Sequence, residues 1–325
     1  IEMKSGPDIA YISTGNFHEG NAKMYTDCML MTAYPKIVKD VNQVFEFIER
    51  PYTQIRFKEL LVSPNEMKNK FVTLINNEIK NKKAGKPAYI KIKINHITDP
   101  IMVEKLYEAS EAGVDIDLVV RGNCSLITNV PDVSTHIRIH GIIDRYLEHS
   151  RIFIFANGGE EKIYLGSADW MPRNLDHRIE VITPVYDPAI KGEMKRIVEY
   201  GLKDTLQGRI VDGAGDNLFW SEETEEAPFR SQEALYNYYL AENEQKLKYD
   251  IMDNMLKDCK TYYGAIDIGS NAVRLLIKCV EEDEQGKVFF SKVLLLRVPL
   301  RLGFDVFAMG KISETKEKNM LRLMK

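Results

Sequence analysis

Four cysteines in 325 residues are too few and too far apart to knit a fold. Cys28, Cys124, Cys259 and Cys279 include no C-x-x-C pair, which excludes a zinc knuckle and a disulfide framework and leaves reduced thiols as the reading. Excess charge is lacking too: 44 Lys and Arg against 48 Asp and Glu leave −4. No global field therefore draws in nucleic acid or another polyanion, and any anion site has to be a local basic cluster. No apolar run reaches the ~18 to 20 residues of a membrane span, and the first residues lack the charged-then-apolar pattern of a signal peptide. These absences point to a soluble, cytoplasmic protein with no nucleic-acid partner, no transmembrane segment and no residue assigned as a metal ligand.

What is present is globular. Hydrophobic residues make up 44% and aromatics 10%, and the length suits two domains or a little more. A strand-like run at Ile9 to Thr14 comes almost at once after Ile1, as if sequence preceded it. An apolar run follows at Met29 to Thr32, and helical spacing at Val41 to Phe47. Beyond a boundary near residues 50 to 62, helices and strands alternate: helix from Pro64 to Lys80, strand Ala88 to Ile94, helix Pro100 to Ala112, strand Asp115 to Val120. Asp99 before Pro100 reads as an N-cap with proline at the first helical position, and Gly113 as the residue just past a helix end. Further strands are expected at His136 to Ile139, Arg151 to Phe155, Lys162 to Leu165 and Ile179 to Thr183, then a helix from Pro188 to Leu206. Such alternation predicts an α/β fold with a mostly parallel sheet covered on both faces. Ser221 to Ala227 reads as an acidic loop and Ser231 to Cys259 as a charged helix. From Tyr262 the pattern turns β-rich. The expected domains are 1–55, 56–245, a helical linker 246–261, and 262–325.

An imperfect repeat carries the first hint of chemistry. Ile12-Ser13-Thr14-Gly15-Asn16-Phe17 and Tyr164-Leu165-Gly166-Ser167-Ala168-Asp169-Trp170 each end an apolar strand with hydroxyl, small, Asn or Asp, and aromatic residues. Ahead of the second copy, Tyr146-Leu147-Glu148-His149-Ser150-Arg151 presents a histidine at a strand start. An imidazole there can attack phosphorus or hand a proton to a leaving phosphate, while hydroxyls, amides and guanidinium groups hold the other oxygens. Arg121, Arg151, Lys162, Arg173 and Arg178 are candidates for the local anion site. The bland alternatives stay open at this level: a lone histidine is more often structural, turns of this type are common after strands, and scattered basic side chains are often surface charge.

Four segments carry a family resemblance. Thr14-Gly15-Asn16-Phe17 through Tyr25-Thr26-Asp27, Val120-Arg121-Gly122-Asn123-Cys124-Ser125-Leu126, Asp144-Arg145-Tyr146-Leu147-Glu148-His149-Ser150-Arg151 and Ser167-Ala168-Asp169-Trp170-Met171-Pro172-Arg173-Asn174-Leu175-Asp176 resemble, in order, segments of type 1 polyphosphate kinases. The resemblance covers residues 1 to 245. It implies phospholipase D-like α/β domains with a mixed or parallel sheet and an active site between them. It also implies reversible transfer of the terminal phosphate of ATP to polyphosphate, with magnesium, a phosphohistidine intermediate and a homo-oligomer. Adenine nucleotide (ATP or ADP) and polyphosphate are the implied partners. By motif match, Tyr25 and Arg121 are nucleotide or phosphate contacts, and His149 is the family's second essential histidine, an acid/base partner. Asn16, Arg151, Ser167, Asp169 and Arg173 are further candidate phosphate contacts. The family's phosphorylated histidine stands in a His-x-Lys strand just before the Thr-Gly-Asn-Phe turn, and its magnesium-associated positions also lie upstream. The expectation is therefore half a site, without the full reaction from this chain unaided.

A second resemblance lies near the other end. Gly264-Ala265-Ile266-Asp267-Ile268-Gly269-Ser270-Asn271-Ala272-Val273-Arg274-Leu275-Leu276 is similar to the first phosphate loop of exopolyphosphatases and guanosine pentaphosphate phosphatases, and Val298-Pro299-Leu300-Arg301-Leu302-Gly303 continues the likeness. It implies part of an actin-like, ribonuclease H-like ATPase lobe, in which Asp267 holds a hydrated magnesium while Gly269, Ser270 and Asn271 bring backbone amides to phosphate. An ordinary hairpin with a Gly-Ser-Asn turn is the alternative. Ala84-Gly85-Lys86-Pro87 is no Walker loop, because proline stands where Ser or Thr is required. Gly213-Ala214-Gly215 lacks the third glycine of a dinucleotide fingerprint. Competing readings are a non-catalytic polyphosphate- or nucleotide-binding module, an exopolyphosphatase-related protein, and a phospholipase D-like phosphodiesterase, the last disfavoured because Arg151 replaces that family's lysine.

Overall fold

The computed structural model describes residues 1–3, 6–50, 52, 54–213, 217–220, 227–255, 261–268, 273–282, 288–298, 314 and 318. The chain divides into two compact units, Ile1–Tyr236 and Asn237–Lys325.

The first unit opens with β1 (Ala10–Ser13), β2 (Tyr25–Thr26), β3 (Met29–Thr32) and α1 (Pro35–Glu49). β1 and β3 pair antiparallel, and Ile12 packs with Ile37 and Val44 of α1 and with Phe57 and Leu60 beyond it. Asp40 sits buried on this helix because its Oδ2 accepts from the Glu59 and Leu60 amides at 2.7 and 3.0 Å, which removes the cost of an unpaired carboxylate.

Next come β4 (Leu61–Ser63), α2 (Met67–Lys83), β5 (Tyr89–Ile94), α3 (Pro100–Glu111) and β6 (Asp115–Val120). They are followed by β7 (Ile137–Ile142), β8 (Leu147–Glu148), β9 (Ile152–Phe155), β10 (Lys162–Gly166), β11 (Glu180–Val185), α4 (Pro188–Leu202) and β12 (Gly208–Ile210). An eight-stranded sheet takes the order β12-β7-β6-β5-β9-β10-β11-β4. Helices cover both of its faces. Phe153 and Phe155 of β9 pack with α2 and α3, whereas Ile152 and Ile154 pack with α4, the period-2 alternation of a strand buried on each side. Asp99 accepts from the Ile101 and Met102 amides, both at 3.1 Å, with Pro100 at the first helical position, and Gly113 adopts φ +83° after α3, as the sequence predicts.

The expectation of a mostly parallel sheet is corrected. Only β5–β6 and β6–β7 run parallel; β9, β10, β11, β4 and β12 join antiparallel. Parallel neighbours need a crossover, which α3 supplies between β5 and β6. The few residues between β9 and β10 allow only a hairpin.

In the second unit the rest of α5 (Ser231–Met255) precedes β13 (Thr261–Ile268), β14 (Val273–Glu282) and β15 (Val288–Val298), an antiparallel sheet in sequence order. Among the described residues no helix is long and apolar enough to cross a membrane.

Candidate functional site

Two two-residue strands bring the site together. β2 and β8 pair parallel, Tyr25 opposite Leu147 and Thr26 opposite Glu148, so residues more than a hundred positions apart become neighbours. His149 follows β8 directly. Its Nδ1 lies 2.8 Å from Asp27 Oδ1, and its ring centroid 4.8 Å from that of Tyr25. On the other side, Nε2 lies 3.2 Å from Arg151 Nη1. A guanidinium nitrogen can only donate, so neutral His149 carries its hydrogen on Nδ1, gives it to Asp27, and keeps a lone pair on Nε2.

Asp27 is built for this task. Burial alone raises its carboxyl, but the bonds from His149 and from Thr14 Oγ1, together with the His149 and Arg151 charges, outweigh burial and hold it below the usual range. Gly15 makes room: a Cβ there would stand 2.1 Å from Asp27 Oδ2. The neighbouring Cys28 is no nucleophile, since burial, aided by the Asp27 and Glu148 charges against Lys93, pushes its thiol to about 11.

Arg151 ties the two repeat turns into one frame. Its Nη1 donates to Thr14 O and to its neighbour's carbonyl, His149 O, each at 2.8 Å. Nε and Nη2 grip Asp169 Oδ1 and Oδ2 at 3.2 and 3.0 Å. Two Nη1 hydrogens thus meet three acceptors, and the longest contact is the one to His149 Nε2, the first that an incoming oxygen can replace. Asp169 Oδ1 also accepts the Asn95 and His96 amides at 3.0 and 3.3 Å. Beneath it Trp170 is fully buried between Phe71 and Phe153, with ring centroids 5.2 and 5.7 Å away. Breaking a buried pair such as Arg151–Asp169 from one side costs about 3–5 kcal/mol.

Arg121 completes the cationic side. Its Nε donates to Asn95 Oδ1 at 3.3 Å. Burial pushes its guanidinium below the ordinary value, Asp169 opposes this, and Arg151 pushes with burial while Tyr25 and Glu148 oppose it, which places Arg121 in the surroundings of the Tyr25–His149 pair. A buried ion pair of Lys93 with Glu148 fixes the strand ahead of His149. Thr26 Oγ1 and Gln232 Nε2 also bond Glu148, at 3.2 and 2.6 Å.

Of the residues read from the sequence, Tyr25, Arg121, His149, Arg151 and Asp169 come together. Asn16 is exposed and contributes none of these side-chain bonds. Ser167 is turned to Glu180, giving its hydroxyl hydrogen to Glu180 Oε2 and accepting from the Val181 amide at 3.2 Å. Arg173 begins a short π-helix, Arg173–His177, and is exposed, with its charge acting on His96. Gly269, Ser270 and Asn271 lie outside the described residues, and of Asp267 only the strand position is described. Sequence reasoning gives no role to Asp27, Asn95, His96 or the Lys93–Glu148 pair. Lys93 leaves no signal, because in Ile90-Lys91-Ile92-Lys93-Ile94 it shares with Lys91 what reads as the polar face of an alternating strand, and only the structure shows it buried. Asn95 and His96 leave none, because their roles come from the loop after β6.

A histidine lodged between a carboxylate and a buried guanidinium, with a second guanidinium nearby and a mixed α/β sheet beneath, makes a histidine-centred cationic cluster. Residues 60–232 match the family described as polyphosphate kinase C-terminal domain 2, and residues 2–54 match polyphosphate kinase C-terminal domain 1. The chain belongs to the polyphosphate kinase family. It is 42% identical over 258 residues to the polyphosphate kinase of Vibrio parahaemolyticus, covering 78% of this chain and 37% of that protein. With the polyphosphate kinase of Escherichia coli it shares 44% identity over 229 residues, 70% of this chain and 33% of that protein. The crystal structure of polyphosphate kinase from Porphyromonas gingivalis superposes with a TM-score of 0.70 at 41% identity, over 75% of this chain and 38% of that one. The chain thus spans about a third of the length of the curated relatives it matches.

Proposed function

We propose that residues 1–245 form the part of a polyphosphate kinase that binds adenine nucleotide and polyphosphate and supplies its acid/base histidine. The reaction is ATP + polyphosphate(n) = ADP + polyphosphate(n+1), run in either direction. The observation that carries this reading is the line Asp27–His149–Arg151, which leaves Nε2 as the working nitrogen. Protonated, His149 donates from Nε2 to the phosphate oxygen that leaves; neutral, it takes the proton back in the reverse direction, and Asp27 stabilises the imidazolium between the two. Arg121 and Arg151 hold non-reacting oxygens, and Tyr25 orders the ring from the side. The histidine that attacks phosphorus is the one the resemblance places in a His-x-Lys strand before the Thr14–Phe17 turn.

Among the described residues no three His, Cys, Asp or Glu side chains gather to hold a metal ion, and Asp27 and Asp169 are engaged by His149 and Arg151. Magnesium does not fit this set as a resident ion, in keeping with the resemblance, which places the magnesium-associated positions upstream; the side chains gathered here supply proton transfer and cationic contacts. The phospholipase D-like character of the fold and a homodimeric assembly are part of the same proposal. For residues 262–325 we propose the opening of an exopolyphosphatase-like lobe. In support, β13 and β14 pair antiparallel with 269–272 as their connection, where a phosphate loop is expected.

The test measures ATP formation from ADP and polyphosphate in a chain that carries the His-x-Lys strand, beside polyphosphate binding by the present chain. Asp27→Asn is expected to lower turnover by about 10²–10⁴-fold while binding persists, the loss typical of a disabled acid/base group. Wild-type polyphosphate affinity in both Arg121→Ala and His149→Ala would sink the reading. Binding without turnover in the extended chain would favour the non-catalytic module.

A further inference from the structure

The site contains a second histidine whose placement resembles no ordinary surface residue. His96 follows β5 and is half-buried. Its backbone is fixed on both sides: the His96 amide donates to Asp169 Oδ1 at 3.3 Å, and the Trp170 amide donates to His96 O at 3.1 Å. The ring lies against Gly122, where a Cβ would come within 2.4 Å of Cε1, so the loop after β6 is shaped to admit an imidazole. The Asn123 amide donates to His96 Nδ1 at 3.0 Å. That bond requires a lone pair on Nδ1, so the neutral ring carries its hydrogen on Nε2. Among the described residues nothing accepts it.

We propose that His96 is a further phosphate-contacting residue, a neutral imidazole that donates from Nε2 to a polyphosphate oxygen held by Arg121. The proposal rests on the reading that the Arg121–His149 site takes polyphosphate. The two histidines then present opposite faces to one ligand: His149 offers a lone pair at Nε2 and works with protons, while His96 offers a fixed N–H and holds charge. The surroundings keep it in that state. Burial pushes the His96 imidazole below its ordinary value against Asp169, and the Arg121, Arg173 and Arg151 charges push the same way. Asn95, next in the chain, is buried, holds Arg121 through Oδ1 and leaves its own Nδ2 without a partner among the described residues. The tip of β5 thus carries more hydrogen-bond donors than the described residues satisfy, as expected where an anion supplies the acceptors.

Two substitutions separate the donor from the packing. In His96→Asn the side-chain oxygen reaches the place of Nδ1 and still accepts from Asn123, but nothing reaches the place of Nε2. In His96→Gln an amide N–H reaches about as far as Nε2. The probe is long-chain inorganic polyphosphate, end-labelled and followed by fluorescence anisotropy at fixed salt, with the whole chain and a melting curve for each variant. His96→Asn should weaken binding about tenfold, or about 1.4 kcal/mol, with the melting temperature kept, and His96→Gln should stay within about twofold of the wild type. Unchanged affinity in His96→Asn overturns the proposal. So does loss in both variants that follows a falling melting temperature. Arg121→Ala tells the two levels apart. If it loses binding while His96→Asn does not, His96 alone is misassigned; if it binds as the wild type does, the site reading falls and His96 with it.

Discussion

Thr14-Gly15-Asn16-Phe17 and Ser167-Ala168-Asp169-Trp170 both leave a strand end, and both reach Arg151. The first does so through the Thr14 carbonyl, the second through the Asp169 carboxylate. Beyond that contact they diverge. Phe17 is 74% exposed, whereas Trp170 is 0% exposed. Asn16 faces solvent, and Asp169 is buried under two charged and two amide hydrogen bonds from Arg151, Asn95 and His96. One pattern therefore does two jobs. The second turn is a frame, welded to the core by an indole and a carboxylate. The first is an open rim that holds Asp27 through a hydroxyl and leaves its aromatic residue outside.

Substitutions can break this contrast, beginning with the largest effect. Trp170→Ala removes a large side chain packed against Phe71 and Phe153 and should cost about 3–5 kcal/mol in denaturant unfolding. A loss below about 1 kcal/mol would deny the frame its anchor. The two glycines come next. At Gly166 a Cβ would meet backbone, Val181 O at 2.1 Å, so Gly166→Ala should destabilise by about 1–3 kcal/mol or more. At Gly15 the clash is with the Asp27 side chain, so Gly15→Ala should displace Asp27 and, in the chain that carries the His-x-Lys strand, cut ATP formation more than stability. Equal melting temperatures for the two variants would erase the distinction.

Acid sharpens the comparison on a smaller scale. The folded-state values of His96 and His140 are depressed by burial, so the unfolded chain takes up their protons first; stability is complete above about pH 6.5 and declines as pH falls. Asp27 is also held down, so its contribution is complete above about pH 4 and is lost below, as pH passes through the folded value. Melting temperature against pH should fall in two stages, the first reduced in His96→Asn and the second in Asp27→Asn. A single stage below pH 4 would remove His96 from the buried frame. Smallest is Phe17→Ala, expected within about 0.5 kcal/mol of the wild type because the ring is exposed. A larger loss would mean that something covers that rim.

Much of this arrangement is legible residue by residue. The cap at Asp99 with Pro100, the glycine after α3 and the alternation of helix and strand from Met67 to Val120 follow from local backbone preferences, which act over a few positions and so leave local signals. His149, Arg121 and Tyr25 are readable because each lies in a long motif. Ser167 is misleading in isolation, since a hydroxyl in a turn can face a ligand or a neighbouring strand, and in this fold it faces Glu180. The direction of β9, β10 and β11 escapes a reading based on alternation, because a short connection and a crossover differ in geometry more than in composition.

By itself the sequence determines the α/β class of the fold, its longer helices and most of its longer strands, the family and the positions of the histidine and arginines that the motifs carry. Those properties depend on hydrophobic period, turn chemistry and runs of adjacent residues, all of which are one-dimensional. Only the tertiary structure decides that β2 lies beside β8. With that pairing come the partner of His149 Nδ1 and the sharing of Arg151 between two turns, while the tautomer of His96 comes from the Asn123 amide in the loop after β6. Each depends on a hydrogen bond between segments distant along the chain, and chain order alone does not encode which lone pair will meet which N–H.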